Sequence, residues 1–313
     1  MMRIVVAGGG GLGYLLATQL SRAANAYSVV VLSRYHRPDF ANLDVQIHQI
    51  SDYNDLNQLA FALQGVDLVI STVSGRAQLN LIHAAVHGRV RLFVPSEFEG
   101  SVARRPSPPH ADPLDRGSRQ ALALLRQSRI RYTVFSCGLF MERFHPCGLA
   151  YLNIGQGASI ARPGDYLVDI NRATAEFADR DARGRTVRVC LSSVYDVVRF
   201  LVAAIDLGTD RWPVEFTMYG DRMSLNELVD TCSRLRNGDR QTRSVAELQA
   251  YAAHHSRAGD SARAAYYHRL LATANGRYDF SHATLNDAIA RSDLGEVQPL
   301  TLAQWLYSML PSP

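Results

Sequence analysis

Residues Arg3–Gly13 read RIVVAGGGGLG, an apolar run that ends in a cluster of glycines. The segment RIVVA has the composition of a buried strand, and Leu12, Leu15, Leu16 and Leu20 then recur on one helical face. Gly8, Gly10 and Gly13 satisfy the spacing G-x-G-x-x-G between the two. Gly8 permits a tight turn, Gly10 lets the backbone approach a pyrophosphate, and Gly13 lets the helix pack on the sheet. This stretch therefore predicts the strand, turn and helix of a dinucleotide-binding unit.

Strands and helices continue to alternate beyond this unit. Strands are predicted at residues 27–32, 45–50, 66–72, 91–94 and 132–136, and helices at 55–63, 78–86 and 121–125. The alternation predicts an α/β fold with a Rossmann-type, doubly wound parallel sheet. Ser101–Gly117 interrupts it with a segment rich in Pro, Ser and Arg, which predicts an exposed, mobile loop at the carboxyl edge of the sheet. That loop is either a solvated insertion or a cover for a substrate.

The pattern becomes irregular after Phe144 and predicts a second, smaller region. We assign residues 1–145 to the dinucleotide-binding domain and residues 146–313 to a discontinuous α+β substrate-binding region. Residues 186–206, a strand followed by a helix, are predicted to rejoin the first domain. A strand is predicted at 215–218 and helices at 224–236, 245–272 and 300–310. Ser224 and Glu227 have the spacing of a capping box at the start of one of these helices.

Composition excludes several functional classes. All 33 basic residues among the 313 are arginines, the net charge is +4, and the arginines are scattered, which argues against nucleic-acid binding. No apolar run reaches the ~20 residues of a membrane span. Cys137, Cys147, Cys190 and Cys232 lack CxxC spacing, which indicates free thiols in a reducing compartment and, with the isolated His254-His255 pair, no metal site. We expect a soluble, cytoplasmic monomer or homodimer whose partner is a small-molecule substrate.

The end of the second predicted strand indicates which dinucleotide is bound. An NAD site usually places an acidic residue about 20 residues after the last glycine, to hold the ribose 2′-hydroxyl. This chain instead has Ser33, Arg34 and, slightly later, Arg37. A hydroxyl beside guanidinium groups suits a 2′-phosphate through charge-assisted hydrogen bonds. The predicted cofactor is NADP(H).

A second motif follows the fifth predicted strand. Arg91–Phe98 reads RLFVPSEF, which resembles the R-F-x-P-S-E-F stretch of the NmrA-like and isoflavone-reductase-like branch of the atypical short-chain dehydrogenases. Asp52, the VDLVIST strand, Tyr132-Thr133 leading to Phe140, and FTMYGDRMSLNE at residues 216–227 are similar to this family as well. The resemblance spans nearly the whole chain and implies a Rossmann fold, NADP(H) and oxidoreductase activity.

The resemblance also implies a role for each matched segment. Asp52 and Tyr53 would lie near the adenine. Thr72, Val73 and Ser74 would follow the ribose and pyrophosphate, with Leu12 at the helix start. The segments bordering the nicotinamide would contain Ser96, Glu97, Phe98, Ser136, Cys137, Gly138 and Phe140. Ordinary core packing is an equal alternative for Phe98 and Phe140. The apolar, aromatic segment after the Tyr132 strand suits a substrate pocket, for which the candidates are Phe98, Met141, Phe144 and Tyr166.

The reductases of this family carry a lysine at the start of the helix that precedes the Tyr-Thr strand, and the corresponding residue here is Ser118. Serine carries no charge, and arginine, with a pKa above ~12, is a poor proton donor. The candidates for acid–base chemistry are Ser118, Glu97, Glu99, His110, His145 and Tyr166, and the catalytic assignment goes to Ser118, His145 and Glu97. His145 is either a group that titrates near neutrality or a solvated loop histidine. Ser118 either donates a hydrogen bond or caps its helix, and Arg116 or Arg119 could stabilise negative charge.

Two functional hypotheses follow. The first is an NADP(H)-dependent oxidoreductase that acts on a bulky, apolar small molecule in natural-product (secondary metabolite) biosynthesis, with a redox-assisted cyclase as a variant. The alternative is a non-catalytic NADP-binding regulator that binds a protein partner, as the family's namesake implies. The absent lysine favours the regulator, and the aromatic segment favours the enzyme.

Overall fold

A computed structural model describes residues 1–23, 25–105, 115–155, 162, 164, 166–234, 238–294 and 297–309 of the chain. Its centre is a six-stranded parallel sheet in the order β3-β2-β1-β4-β5-β6. The strands are β1 (Arg3–Ala7), β2 (Ser28–Ser33), β3 (Gln46–Gln49), β4 (Leu68–Ser71), β5 (Leu92–Val94) and β6 (Arg131–Tyr132). The connecting helices are α1 (Gly11–Ser21), α2 (Leu56–Ala62), α3 (Gly75–His87) and α4 (Arg116–Gln127). The predicted Rossmann-type fold is confirmed.

The alternation of side chains along each strand separates two cores. Ile4 and Val6 of β1 face the side on which Leu16 and Leu20 of α1 pack. Val5, between them in the chain, faces the opposite side, which is covered by α2, α3 and α4. Because successive strand residues point to opposite faces, a strand that is apolar throughout needs helices on both sides. This requirement gives the sheet its three-layer architecture.

In the described part of the chain, two three-stranded sheets and six α-helices follow β6. One sheet has the order β13-β11-β8 and the other the order β14-β10-β9. The strands and helices after β6 are β7 (Val134–Ser136), β8 (Leu139–Phe140), β9 (Val168–Asp169), β10 (Thr174–Phe177), β11 (Arg188–Ser192), α5 (Val194–Asp206), β12 (Glu215–Thr217), β13 (Asp221–Ser224), α6 (Leu225–Ser233), β14 (Asp239–Thr242), α7 (Val245–Arg257), α8 (Ser261–Ala274), α9 (Thr284–Ala290) and α10 (Leu302–Ser308). The predicted capping box of Ser224 and Glu227 is present at the start of α6.

The strand that extends the central sheet is not the one expected. Thr133 N–H donates to the Phe93 carbonyl on one side, and Val134 N–H donates to the Val214 carbonyl on the other. Strand β12 therefore continues the parallel order beyond β6 by pairing with β7. Strand β11, which was predicted to rejoin the first domain, pairs with β8 and β13 rather than with a strand of the six-stranded sheet. Helix α5, from the same segment, packs against α1.

The segment after β5 also differs from its prediction. Ser101–Gly117 was expected to be exposed, but Ser101 and Asp115 are buried and the Arg105 side chain is only 4% exposed. Helix α4 begins at Arg116, inside the predicted loop. Polar partners in the interior, rather than apolar side chains, account for this burial. Residues 106–114 of this segment, including the candidate His110, lie outside the described residues.

The helices in the described parts of the chain are all too short or too polar to cross a membrane.

An aromatic cluster fastens β12 to β7, and it generates a stability prediction. Phe135 packs against Trp212 with ring centroids 5.3 Å apart and against Phe216 at 5.6 Å. Because Phe135 is fully buried, Phe135→Ala should lower the free energy of unfolding by roughly 3–5 kcal/mol. Phe61→Ala, at a residue that is 68% exposed, is the matched control and should change it by less than about 0.5 kcal/mol. Urea denaturation measures both, and similar losses would contradict the assignment of this cluster as a core.

Candidate functional site

The glycine-rich turn lies between β1 and α1 and leaves no space for side chains at Gly8, Gly11 and Gly13. Gly8 has φ +107°, and a Cβ atom there would lie 2.5 Å from Thr72 Oγ1. A Cβ atom at Gly13 would lie 1.9 Å from the Gly8 carbonyl oxygen. Gly10, at the N-cap of α1, supplies no side-chain hydrogen bond. The first backbone N–H groups of a helix have no intrahelical partner, so a glycine turn at this place suits the pyrophosphate of a dinucleotide. The backbone of Leu152 and Asn153 lies against the same turn, at Gly10 and Gly11.

Polar and basic groups gather where β2 ends, beside this turn. The Arg37 Nη1 atom is 3.2 Å, and the Ser33 Oγ atom 3.4 Å, from the position that a Cβ of Gly9 would take. Arg37 donates from Nε and Nη2 to the two carboxylate oxygens of Asp39 at 2.9 and 2.6 Å. Its guanidinium group also lies over the Phe40 ring at 5.3 Å. Ser33, Arg37 and the exposed Arg34 thus stand together at the end of β2, and their contact with a 2′-phosphate stays a prediction.

The other residues predicted at the adenosine half lie around the same turn. Thr72 Oγ1 donates to the Ala7 carbonyl at 2.9 Å, and Val73 contacts the position of the missing Gly8 side chain. Ser74 is the N-cap of α3, without a side-chain capping bond. Asp52 is exposed and accepts from Asn54 Nδ2 at 2.6 Å, which lowers the pKa of its carboxyl group. Leu12 is buried beneath the turn. Contact of these residues with a cofactor stays a prediction.

The loops after β5 and β7 are joined by backbone hydrogen bonds. Cys137 and Gly138 donate their N–H groups to the Glu99 carbonyl at 2.9 and 3.2 Å. Ser96 N–H donates to Gln78 Oε1 of α3 at 2.6 Å. Phe98 and Phe140 are each 8% exposed and belong to the core beneath. The segments predicted to border the nicotinamide therefore meet at the carboxyl edge of the sheet.

A buried cluster of charged side chains lies beside these loops. Arg105 Nη2 is 2.6 Å from Glu97 Oε2 and 3.2 Å from Glu99 Oε1. Arg277, from the segment after α8, donates to Glu99 at 2.8 Å and to both oxygens of Asp115 at 2.7 and 3.1 Å. The cluster connects the loop after β5, the N-cap of α4 and the second region. Neither arginine was predicted as a site residue, because no local pattern distinguishes a buried arginine from 31 others that are mostly exposed.

Burial and charge act differently on the carboxyl groups of this cluster. Burial raises the pKa of Glu97, and Arg105 only partly opposes it. Burial would also raise the pKa of Glu99, but Arg277 and Arg105 hold it below its usual value. The Ser118 hydroxyl lies near enough to Glu97 to lower the pKa of that carboxyl group. The structure thus brings together Glu97 and Ser118, two of the three predicted catalytic residues.

Ser118 does not cap its helix, because α4 begins two residues earlier with Asp115 at the N-cap. His145, the third predicted catalytic residue, contacts other groups. Its ring stacks on Tyr151 at 4.1 Å, its Nδ1 accepts from the Cys147 N–H at 3.0 Å, and burial lowers its pKa. It is a partly buried histidine in a short turn, and a role in proton transfer stays a prediction.

Three of the four predicted substrate contacts lie in a third hydrophobic core, formed with residues of β10, β11, α6 and α8. Met141 and Phe144 are almost fully buried there, and Tyr166 is 4% exposed. The Tyr166 hydroxyl is hydrogen bonded to Thr273, and Arg143 lies over its ring at 5.6 Å. Core packing accounts for these positions, so contact with a substrate stays a prediction for all three.

Glu142 is a buried acid that the sequence did not indicate. It is fully buried and accepts from Ser193 Oγ at 2.7 Å and from the Val194 N–H at 3.0 Å. These bonds fasten the turn after Phe140 to the N-terminus of α5. Burial raises the pKa of Glu142 to about 7. Its neighbours in the sequence, Met141 and Arg143, form no pattern that marks Glu142 as a buried acid.

Within the described ranges, no cluster of His, Cys, Asp or Glu side chains could hold a metal ion. Burial raises the pKa of the Cys137 thiol, which makes this cysteine a poor nucleophile.

Comparison with known proteins gives a family and a set of relatives. The model of the NmrA-like family matches residues 2–246. Oxidoreductase BOA1 of Botryotinia fuckeliana is 28% identical over 248 residues, which cover 75% of this chain and 76% of that protein. Oxidoreductase aprR of Aspergillus flavus is 29% identical over 186 residues, which cover 57% of this chain and 62% of that protein.

Solved structures share the fold over nearly the whole chain. The NADPH complex of the quinone oxidoreductase QOR2 from Escherichia coli has a TM-score of 0.68 at 18% identity, covering 98% of this chain and 99% of that one. An isoflavone reductase has a TM-score of 0.69 at 18% identity, with the same coverage. The NADP(H) complex of a triphenylmethane reductase from Citrobacter has a TM-score of 0.68 at 16% identity, covering 98% of this chain and all of that one.

The raised pKa of Glu142 predicts a pH-dependent stability. The folded chain binds this proton more tightly than the unfolded chain, so Glu142 ionises at a cost to the fold as the pH rises from about 4.5 through 7. Glu142→Gln cannot ionise and can still bond Ser193 and Val194. It should exceed the wild type in free energy of unfolding by roughly 2–3 kcal/mol at pH 8, and by little at pH 4.5. Denaturation at both pH values measures this.

Glu247→Gln is the matched control for this measurement. Glu247 also accepts hydrogen bonds at a helix N-terminus, but it is exposed and its pKa is lowered. This variant should show no gain at pH 8. An unchanged pH profile in Glu142→Gln would mean that Glu142 is already charged in the fold at low pH.

Proposed function

The chain belongs to the NmrA-like family, and from this premise we propose that it is an NADP(H)-dependent oxidoreductase acting on a bulky, largely apolar small molecule. The observation that supports this most is the bare glycine turn at the start of α1 beside Ser33, Arg34 and Arg37. The turn suits a pyrophosphate, and the basic groups suit a 2′-phosphate. Relatives named as oxidoreductases and fold relatives solved with NADP(H) are consistent with it.

Bound NADPH would supply a hydride from its nicotinamide ring. The residues of this chain would bind the dinucleotide across the turn, with Thr72, Val73 and Ser74 along its path and Asp52 near the adenine. The joined loops around Glu97 and Cys137 would border the ring and keep water from it. A substrate held at reacting distance of roughly 3–3.5 Å then gains much of its rate from position alone.

The proposal extends to the class of substrate. Phe98, Cys137 and Phe140 bring the hydrophobic core up to the edge where the loops after β5 and β7 meet, which supports a hydrophobic substrate of the kind made in natural-product biosynthesis. A redox-assisted cyclase is the variant in which hydride transfer generates or quenches a reactive species that the pocket folds into a ring. Product analysis separates the two, because net reduction consumes NADPH in equal amount to product, whereas a redox-neutral cyclisation does not.

A non-catalytic NADP-binding regulator remains the second candidate, because Ser118 occupies the place of the family's lysine. The buried Glu97, with a raised pKa, favours the enzyme, since a sensor needs no such acid at its nicotinamide edge. Rapid-mixing absorbance of bound NADPH distinguishes the two. A regulator would keep its reduced cofactor in the presence of hydride acceptors and bind a protein partner tightly.

The proposed cofactor preference rests on the end of β2. The double variant Ser33→Glu, Arg34→Ala replaces the phosphate site with a carboxylate, which repels a 2′-phosphate and suits a ribose 2′-hydroxyl. Its affinity for NADPH should fall by roughly 10- to 100-fold, the effect of losing one charge-assisted contact or two, while NADH binding is retained. Fluorescence titration measures both affinities.

Arg22→Ala, at the opposite end of α1, is the control and should bind both cofactors as the wild type does. An unchanged ratio of NADPH to NADH affinity in the double variant would refute the assignment of these residues to the phosphate.

A further inference from the structure

Two buried side chains at the carboxyl edge of the sheet carry unsatisfied polar atoms. Glu97 is 1% exposed and the Arg105 side chain 4% exposed. They meet through Arg105 Nη2 and Glu97 Oε2 at 2.6 Å. Within the described part of the chain, Glu97 Oε1 and the Nε and Nη1 atoms of Arg105 have no hydrogen-bond partner. A buried polar group left without a partner costs about 1–3 kcal/mol, so these three atoms indicate a missing ligand.

Burial and the neighbouring charges favour the protonated form of Glu97. Among the described side chains in ion-pair contact here, three carboxylates (Glu97, Glu99 and Asp115) meet two guanidinium groups (Arg105 and Arg277). Asp115 and Glu99 both bond Arg277 and also lie within 3.9 Å of Arg105, whereas Glu97 is ion-paired with Arg105 alone and has the Ser118 hydroxyl beside it. Burial and the charge of Glu99 both raise the pKa of Glu97, against Arg105 and the Ser118 hydroxyl. A third arginine, Arg143, also acts on Glu99. With a proton on Oε1, Glu97 would be neutral and would still accept from Arg105 through Oε2.

Protonated in this way, the pair presents only donors. The Oε1–H of Glu97 and the free N–H groups of Arg105 would all be matched by one kind of ligand atom, a lone-pair oxygen. An anionic carboxylate suits the place less well, because Glu99 and Asp115 already supply negative charge. A ligand that satisfies these atoms would therefore present a neutral acceptor oxygen, such as that of a carbonyl group.

The pair also stands where a reacting carbonyl would lie. Glu97 follows the end of β5, and the neighbouring Glu99 carbonyl bonds the N–H groups of Cys137 and Gly138. These are the segments proposed to border the nicotinamide. Ser118, beside Glu97, carries no charge, so any polarising group must come from elsewhere in the chain.

We propose that Glu97 and Arg105 form the polar end of the substrate site and bind the oxygen of a ketone or aldehyde, with Glu97 as the proton donor. This inference rests on the proposed function. A new C–H bond forms at the carbonyl carbon from the hydride of NADPH, and the π electrons of the C=O bond move to oxygen. The Glu97 O–H bond breaks as the product O–H bond forms, and Arg105 stabilises the negative charge in between. Water then returns a proton to Glu97. The products are an alcohol and NADP⁺.

Two acceptors that differ in their need for a proton test this role. The aldehyde 4-nitrobenzaldehyde needs both a hydride and a proton. The cationic dye malachite green needs only the hydride, which neutralises its charge. Glu97→Gln keeps an oxygen that can accept from Arg105 and has the same size. Single-turnover rates are measured by absorbance with NADPH bound to the wild type, Glu97→Gln, Arg105→Gln and the control Arg104→Gln, an exposed neighbour.

Glu97→Gln should slow aldehyde reduction by roughly 100-fold or more, and dye reduction by a much smaller factor, because only the aldehyde needs the proton. Arg105→Gln should slow aldehyde reduction by a similar factor, because it removes donors to the developing charge. Arg104→Gln should reduce both acceptors as the wild type does. The inference is overturned if the NADPH-bound wild type does not reduce the aldehyde, or if Glu97→Gln slows both acceptors equally. Failure of the wild type to bind NADPH would instead contradict the proposed function.

The protonation of Glu97 can also be tested without any substrate. Infrared spectra of the folded protein at neutral pH should contain the carbonyl stretch of a protonated carboxyl group that disappears in Glu97→Gln. Glu142 gives a separate band, which its own glutamine variant identifies. Identical spectra of the wild type and Glu97→Gln would mean that Glu97 is ionised and cannot donate the proton.

Discussion

The close contact between Gly13 and the Gly8 carbonyl is the constraint on which the rest of the structure depends. A Cβ atom at Gly13 would lie 1.9 Å from that oxygen, closer than any real contact. Because neither residue has a side chain, α1 can begin directly above the end of β1 and direct its first N–H groups outward. That placement puts the start of α1 at the carboxyl edge of the sheet, where we propose that the dinucleotide binds, and brings Ser33 and Arg37 beside it. Any side chain at these two positions would separate the helix from the sheet and close the site.

A second constraint acts where the two regions meet. The charged cluster of Arg105, Arg277 and three carboxylates joins the loop after β5 to the segment after α8. Buried ion pairs are weak stabilisers, because the cost of removing charges from water offsets their attraction. Their value here is geometric, since they fix the direction of Glu97 at the edge where the loops meet. A chain without lysine thus places positive charge at this edge through arginines from two distant segments.

Sequence patterns predicted the local elements well and the long-range ones poorly. The glycine spacing and the apolar runs of β1, β2 and β4 are local signals, and the parallel sheet followed from them. By contrast, β11 is as apolar as a central strand, yet it pairs in a small sheet with β8 and β13. Arg105 was assigned to an exposed loop because its neighbours are proline, serine and arginine. Its burial depends on ion pairs with Glu97, Glu99 and Asp115, which no local pattern predicts, and on the distant Arg277, which binds two of the same carboxylates. The sequence offered Glu97 and Ser118 as separate candidates, and the fold puts them side by side.

The central claim is that the glycine turn and the basic groups after β2 hold a dinucleotide with a 2′-phosphate. Calorimetric titration of the unaltered protein with 2′,5′-ADP and with 5′-AMP tests it most directly, because the two fragments differ in that phosphate alone. The account predicts that 2′,5′-ADP binds at least about tenfold more tightly, the effect of one charge-assisted hydrogen bond. Equal affinities, or no heat with either fragment, would contradict it.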